Sequence, residues 1–170
     1  ISVGFVSTFA DFGPENLRLS VSEMADVDPE STDLTTQGDL MDKLNMEAKW
    51  EMESGDEAVV CIFDTGFSED MFPRSRIQAT YSGDDVSSVW ASSEGHGTMT
   101  AGAAAANVDD GVEFNGIAKD SDVILVRITD EEGQISGDII ANAWDWLADR
   151  TGQTNALSDG RPVVANHSYG

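Results

Sequence analysis

The sequence predicts an α/β layered fold built on a mostly parallel sheet, and three observations carry that expectation. Residues 58–63, 123–126 and 162–165 are short, β-prone runs without polar alternation. Strands buried on both faces look like this, and such strands belong to parallel sheets. Between the runs lie two segments of helical character, residues 98–107 and 135–149. Strands alternating with helices imply right-handed βαβ crossovers.

In chain order, residues 1–12 alternate weakly and suit one strand, which Gly13-Pro14 would break. Residues 20–38 carry Asp, Glu, Ser, Thr and Pro with little apolar content, the composition of a linker or loop. Residues 1–37 are therefore expected to be an N-terminal extension, a propeptide tail or a linker, and residues 38–170 a compact unit. Asp39 suits the cap of a helix with Leu40, Met41, Leu44, Ala48 and Trp50 on its apolar face. The first buried strand, residues 58–63, runs straight into Asp64-Thr65-Gly66. Residues 98–107 are almost all Ala, Gly, Thr and Met, so this helix can lie close to a sheet. In the second helix Ile135, Ile139, Ile140, Ala143, Trp144 and Leu147 fall at helical spacing.

Composition narrows the function classes. The 170 residues carry 32 acidic and 9 basic side chains, a net charge of -23. That excess disfavours nucleic acid and anionic membrane surfaces, which call for Lys and Arg. A hydrophobic content of 40% excludes a disordered acidic tail. The longest apolar runs fall far short of the roughly 20 residues that span a bilayer, so no membrane insertion is expected. The single cysteine, Cys61, cannot close an internal disulfide and reads as a small buried hydrophobe. Without an initiator Met or a charged-then-apolar leader, the chain is expected to be processed or part of something longer.

Two constellations carry chemistry. Asp64 ends a buried strand, the place where functional groups collect in α/β sheets, and Gly66 follows it on a tight turn. Alone the tripeptide is weak, since an Asp before Gly is commonly a turn former, and aspartic proteases also present Asp-Thr-Gly. An aspartic protease would need another such motif or a symmetric dimer so that two carboxylates share a proton, and no second copy exists. Glu94-Gly95-His96-Gly97-Thr98 opens the small-residue helix. Glycines on both sides allow close backbone approach to His96, and a neighbouring carboxylate would orient one of its ring nitrogens.

These blocks resemble the subtilisin-like serine proteases. Asp64-Thr65-Gly66 ends a strand, His96-Gly97-Thr98 opens a small-residue helix, Gly116-Ile117-Ala118 leads into a hydrophobic strand, and Asn166-x-Ser168-x-Gly170 follows on the next. All four stand in the family's order over about residues 38–170, and residues 40–50 resemble the helix near the start of mature subtilases. The resemblance implies a three-layer α/β/α fold with a mostly parallel sheet, incomplete in this chain. It makes Asp64 the acid and His96 the general base of an Asp–His–Ser triad. It places Ser168, Tyr169 and Gly170 on one substrate-pairing strand and Glu131, Glu132 and Gly133 on a second. A peptide or protein substrate would lie extended between them. No cofactor is implied for the chemistry. Asn107, Asp109 and Asp110 fall where many family members place a structural calcium, with an ordinary acidic turn as the plainer alternative.

The family's nucleophilic serine, in a Gly-Thr-Ser motif, and its oxyanion-hole Asn come after the block that ends at Gly170. Ser168 is no substitute, because its family role is structural. The 170 residues alone are thus expected to be inactive until joined to a C-terminal remainder of the domain. Such a piece would expose a sheet edge able to pair with that remainder or with a second copy of itself. The resemblance also implies a secreted or extracellular protein, and the acidity would suit high salt. The rival expectation is a non-catalytic subtilase-like module that binds peptides or a partner. Intact Asp64 and His96 count against it.

Overall fold

A computed structural model describes residues 4–6, 44–83, 88–91, 95–107, 115–151 and 158–168. Five strands form one sheet among these residues: β1 (Gly4–Val6), β2 (Val59–Asp64), β3 (Ile77–Ser82), β4 (Asp122–Arg127) and β5 (Val163–His167). Their order is β1-β5-β2-β4-β3. The β5-β2-β4-β3 pairs are parallel and β1 runs antiparallel along β5. Three helices accompany them: α1 (Met46–Trp50), α2 (Gly95–Ala105) and α3 (Gly137–Thr151).

Strand periodicity decides which layer each side chain joins. On β2, Val59, Cys61 and Phe63 face α3, packing with Ile124, Val126 and Ile128 of β4 and its continuation and with Ala143 and Leu147. The alternate residues, Ile62 of β2 with Val123 and Leu125 of β4, pack against Ala101 and Ala105 of α2. Side chains two apart on a strand share a face, so each strand feeds two cores and looks apolar throughout. The result is three layers, α2, sheet and α3. Asp64 continues the set that begins with Ile62, and therefore emerges on the α2 side.

The far end of α2 is tied down by backbone. Its last carbonyls lack helical donors. Ile117 N–H donates to Ala103 O at 3.1 Å and Ala118 N–H to Ala104 O at 2.8 Å. Arg76 adds a donor to Ala105 O at 2.8 Å. Gly116 is obligatory in that contact: a Cβ there would sit 2.4 Å from the Ala105 nitrogen.

Three elements differ from the sequence expectations. β3 was not anticipated, because Ile77-Gln78-Ala79-Thr80-Tyr81-Ser82 alternates strictly instead of forming an apolar run. This is the pattern of a half-buried edge strand. Within the described residues the first helix begins only at Met46, since Asn45 adopts a left-handed φ of 51°. Ala48 is exposed there, and Asp39, Leu40 and Met41 lie outside the described residues. Ile135 does not join the apolar face of α3. It pairs with Thr129 in an isolated bridge and is 42% exposed, while Ser136 caps the helix by accepting from Ile139 N–H at 3.3 Å. Apart from β1, residues 1–37 lie outside the description.

His167, last on β5, stacks on Phe63 at a ring-centroid distance of 4.3 Å and on Trp144 at 4.9 Å. Burial lowers its pKa from the ordinary 6.5. The unfolded chain then binds more protons below about pH 6.5, so stability is fully present above that pH and declines as pH falls through the depressed folded value. Chemical denaturation between pH 7.5 and 5 should show this loss, and His167→Phe, which keeps the stack, should remove that part of the slope.

Candidate active site

Asp64 stands at the carboxyl end of β2, a central strand, and is 2% exposed. Three donors converge on its Oδ1: Thr65 N–H at 2.7 Å, Thr65 Oγ1 at 3.2 Å and His96 Nδ1 at 2.8 Å. Charge-assisted bonds of this kind are what a carboxylate held away from water requires. Its Oδ2 is buried without a hydrogen-bond partner among the described residues. The Thr65 side chain is thus part of the site, beyond its place in a turn motif.

His96 is the second residue of α2, and its side chain remains 47% exposed. The Nδ1–H donates to Asp64, which leaves the lone pair on Nε2, the nitrogen remote from that bond. A buried acid, an oriented imidazole and an accessible face therefore occur in one chain of contacts. This arrangement can accept a proton from a group delivered at the open side and stabilise the cation that forms.

Glycine makes the contact possible. A Cβ on Gly97 would lie 2.2 Å from Gly66 O and 3.1 Å from Asp64 Cβ, so only glycine lets α2 descend onto the strand end. Thr98 then fixes the first turn of α2 to the loop after β2, its Oγ1 accepting from Ser68 N–H at 2.9 Å. Gly66, at φ 134°, lies in a region that side chains rarely adopt, and a Cβ there would meet Ala91 Cβ at 2.5 Å. The two motifs are close-approach devices as much as carriers of chemistry.

The other expected site residues belong to three further segments of the chain. Phe63 is in register with His167, so Ser168 lies beside Asp64 one residue beyond the paired stretch. Asn166, on the same face as Ser168, donates from Nδ2 to its Oγ at 3.0 Å. Tyr169 and Gly170 lie outside the described residues. Glu131, Glu132 and Gly133 form the exposed tip of a short hairpin, closed by Asp130 N–H to Gln134 O at 2.9 Å and Gln134 N–H to Asp130 Oδ1 at 2.7 Å. Gly133 there has a φ of 78°. Asn107 donates to Asp120 Oδ1 at 2.8 Å, while Asp109 and Asp110 lie outside the described residues. Among the described residues no group of three or more His, Cys, Asp or Glu side chains gathers as a metal site. Cys61 faces α3, away from the pair, and burial pushes its thiol well above the usual range. This is an inert packing residue.

No helix among the described residues is long and apolar enough to cross a membrane. Thermitase of Thermoactinomyces vulgaris is 28% identical over 122 residues, which is 71% of this chain and 44% of that protein. The fold is similar to that of the Clostridium perfringens CspB protease, with a TM-score of 0.51 and 21% identity over 69% of this chain and 30% of that one. The chain thus spans less than half the length of these relatives. The model of the Subtilase family matches residues 55–170, about two thirds of the sequence, and the chain belongs to that family.

Proposed function

We propose that residues 38–170 are the N-terminal portion of the catalytic domain of a serine endopeptidase, with Asp64 and His96 as two members of its triad. The observation that carries this reading is the 2.8 Å contact between His96 Nδ1 and a buried Asp64, made at the carboxyl end of a central strand. In this mechanism His96 Nε2 takes the proton of a serine hydroxyl as the oxygen attacks the peptide carbonyl. It then returns the proton to the leaving amine, and an acyl-enzyme remains for water to hydrolyse. Asp64 stays ionised, holds the imidazole in one tautomer and offsets its transient charge. The serine and the oxyanion donor would come from beyond residue 170, and without them the 170 residues do not turn over substrate.

The substrate is proposed to be an extended peptide, held between the Ser168–Gly170 segment and the hairpin bearing Glu131, Glu132 and Gly133. Calcium in the loop after α2, through Asn107, Asp109 and Asp110, belongs to the same proposal as a structural ion with no part in the reaction. Export from the cell is proposed with it. A non-catalytic peptide-binding module is the second reading, and the accessible, oriented His96 is what it leaves without a purpose.

Sequence of the gene beyond codon 170 tests the proposal first: it should encode Gly-Thr-Ser, and its absence overturns the protease reading. In the full-length protein, His96→Ala should lower kcat on a casein or peptide substrate by at least about a hundredfold. Asp64→Asn should cost about 10⁴-fold, because the amide would favour the wrong imidazole tautomer. Undiminished turnover by either variant removes that residue from the mechanism. Gly97→Ala should separate α2 from the strand end, with a stability loss of about 1–3 kcal/mol and a fall in kcat. Gly95→Ala, whose Cβ would meet nothing within 4 Å, should leave the melting temperature nearly unchanged.

A further inference from the structure

Arg127 ends β4 in register with Asp64, so both side chains emerge on the α2 face of the sheet. It is 7% exposed, and its chain runs past Gly66, where an added Cβ would meet the Arg127 Cδ at 3.6 Å. The guanidinium donates in three directions. Nε reaches Thr129 Oγ1 at 3.0 Å, one terminal nitrogen reaches Ser88 O at 3.1 Å, and the other reaches Asp130 O at 2.8 Å. Thr129 Oγ1 in turn donates its own hydrogen bond to Thr65 O at 3.0 Å. Among the described residues, every one of these acceptors is uncharged. A buried cation satisfied by carbonyls and a hydroxyl is costly to desolvate, and an apolar side chain would fill the space more cheaply. What it supplies instead is geometry, since the planar fork fixes several backbone segments at once.

The segments it fixes are those around the site. Ser88 opens a stretch that pairs with the loop after β2, through Phe67 N–H to Val89 O at 3.2 Å and Ala91 N–H to Phe67 O at 3.0 Å. Asp130 opens the hairpin closed by the Thr129–Ile135 bridge. Thr65 is the residue after Asp64. We propose that Arg127 is a positioning residue that locks the hairpin of residues 129–135 to the Asp64 turn, so that a peptide lying along the hairpin is held in register with the Asp64–His96 pair. This rests on the protease reading above. Arg127 touches no reacting atom. It acts through Thr129 and the backbone of Asp130, converting contacts remote from the cut bond into alignment at it.

The experiment compares two substrates on the full-length protein: a peptide with four residues before the cut bond, and a single-residue ester too short to reach the hairpin. Rates are referred to active sites counted by stoichiometric labelling of the serine with a fluorophosphonate, so that unfolded material does not contribute. Arg127→Met should lower the ratio of peptide kcat/KM to ester kcat/KM about 10- to 100-fold. Thr129→Val should lower it in the same sense by less. The double variant should lose no more than Arg127→Met alone, because both changes cut one linkage. If Arg127→Met yields too little folded protein, Arg127→Lys is read the same way, since one ammonium cannot reproduce three divergent bonds. Equal losses on both substrates, or additive losses in the double variant, overturn the proposal and leave the protease reading standing. A wild-type protein that turns over neither substrate overturns both.

Discussion

The arrangement depends on one close approach, that of the first turn of α2 to the carboxyl end of β2. Gly97 has no room for a Cβ against Gly66 O, and this lets His96 reach Asp64. Around that contact the chain removes bulk where α2 meets the sheet: Ala101 and Ala105 face Ile62, Val123 and Leu125. The other end of α2 is secured by Gly116 and by donors from Ile117, Ala118 and Arg76. The helix is thus held at both ends, which fixes His96 against Asp64. The structural and chemical roles of these glycines are the same role.

The net charge of -23 takes on a different meaning once the cations are located. Arg76, Arg127 and Arg161 donate inward to backbone carbonyls, to Ser121 and Ala105, to Ser88 and Asp130, and to Ser158 and Asp56 respectively. Burial lowers the Arg76 pKa, with Asp120 and Asp122 opposing the shift. Gln78 and Arg161 meet on Asp122 Oδ2, at 2.7 and 2.5 Å, where the neighbouring strands begin. These three arginines join segments of the chain, whereas Arg74 lies on the surface beside Glu69.

The buried strands were legible because a strand covered on both faces must be apolar at every position, and such runs are unmistakable. β3 escaped notice for the complementary reason: Ile77, Ala79 and Tyr81 alternate with Gln78, Thr80 and Ser82, and an edge strand needs only that. Ile135 was drawn into α3 by its spacing, although Ser136 beside it is a capping residue. Arg127 carries a signal of its own in the sequence. A cation directly after Val123-Ile124-Leu125-Val126 must either leave the sheet or find buried acceptors, and it found three. Asn166 and Thr65 sat inside recognised motifs, yet their bonds to Ser168 and Asp64 needed coordinates.

By itself the sequence determined the layered α/β class and the family and singled out Asp64 and His96, which the fold brings into contact, because strand burial and glycine-framed motifs are local properties written residue by residue. Tertiary structure alone decided what that pair sits in. It set which face of β2 carries Asp64, which glycine admits α2, and how Arg127, opposite Asp64 on β4, gathers the hairpin and the loops around them. Those facts follow from register between strands far apart in the chain, and register is a property of packing that no local pattern encodes.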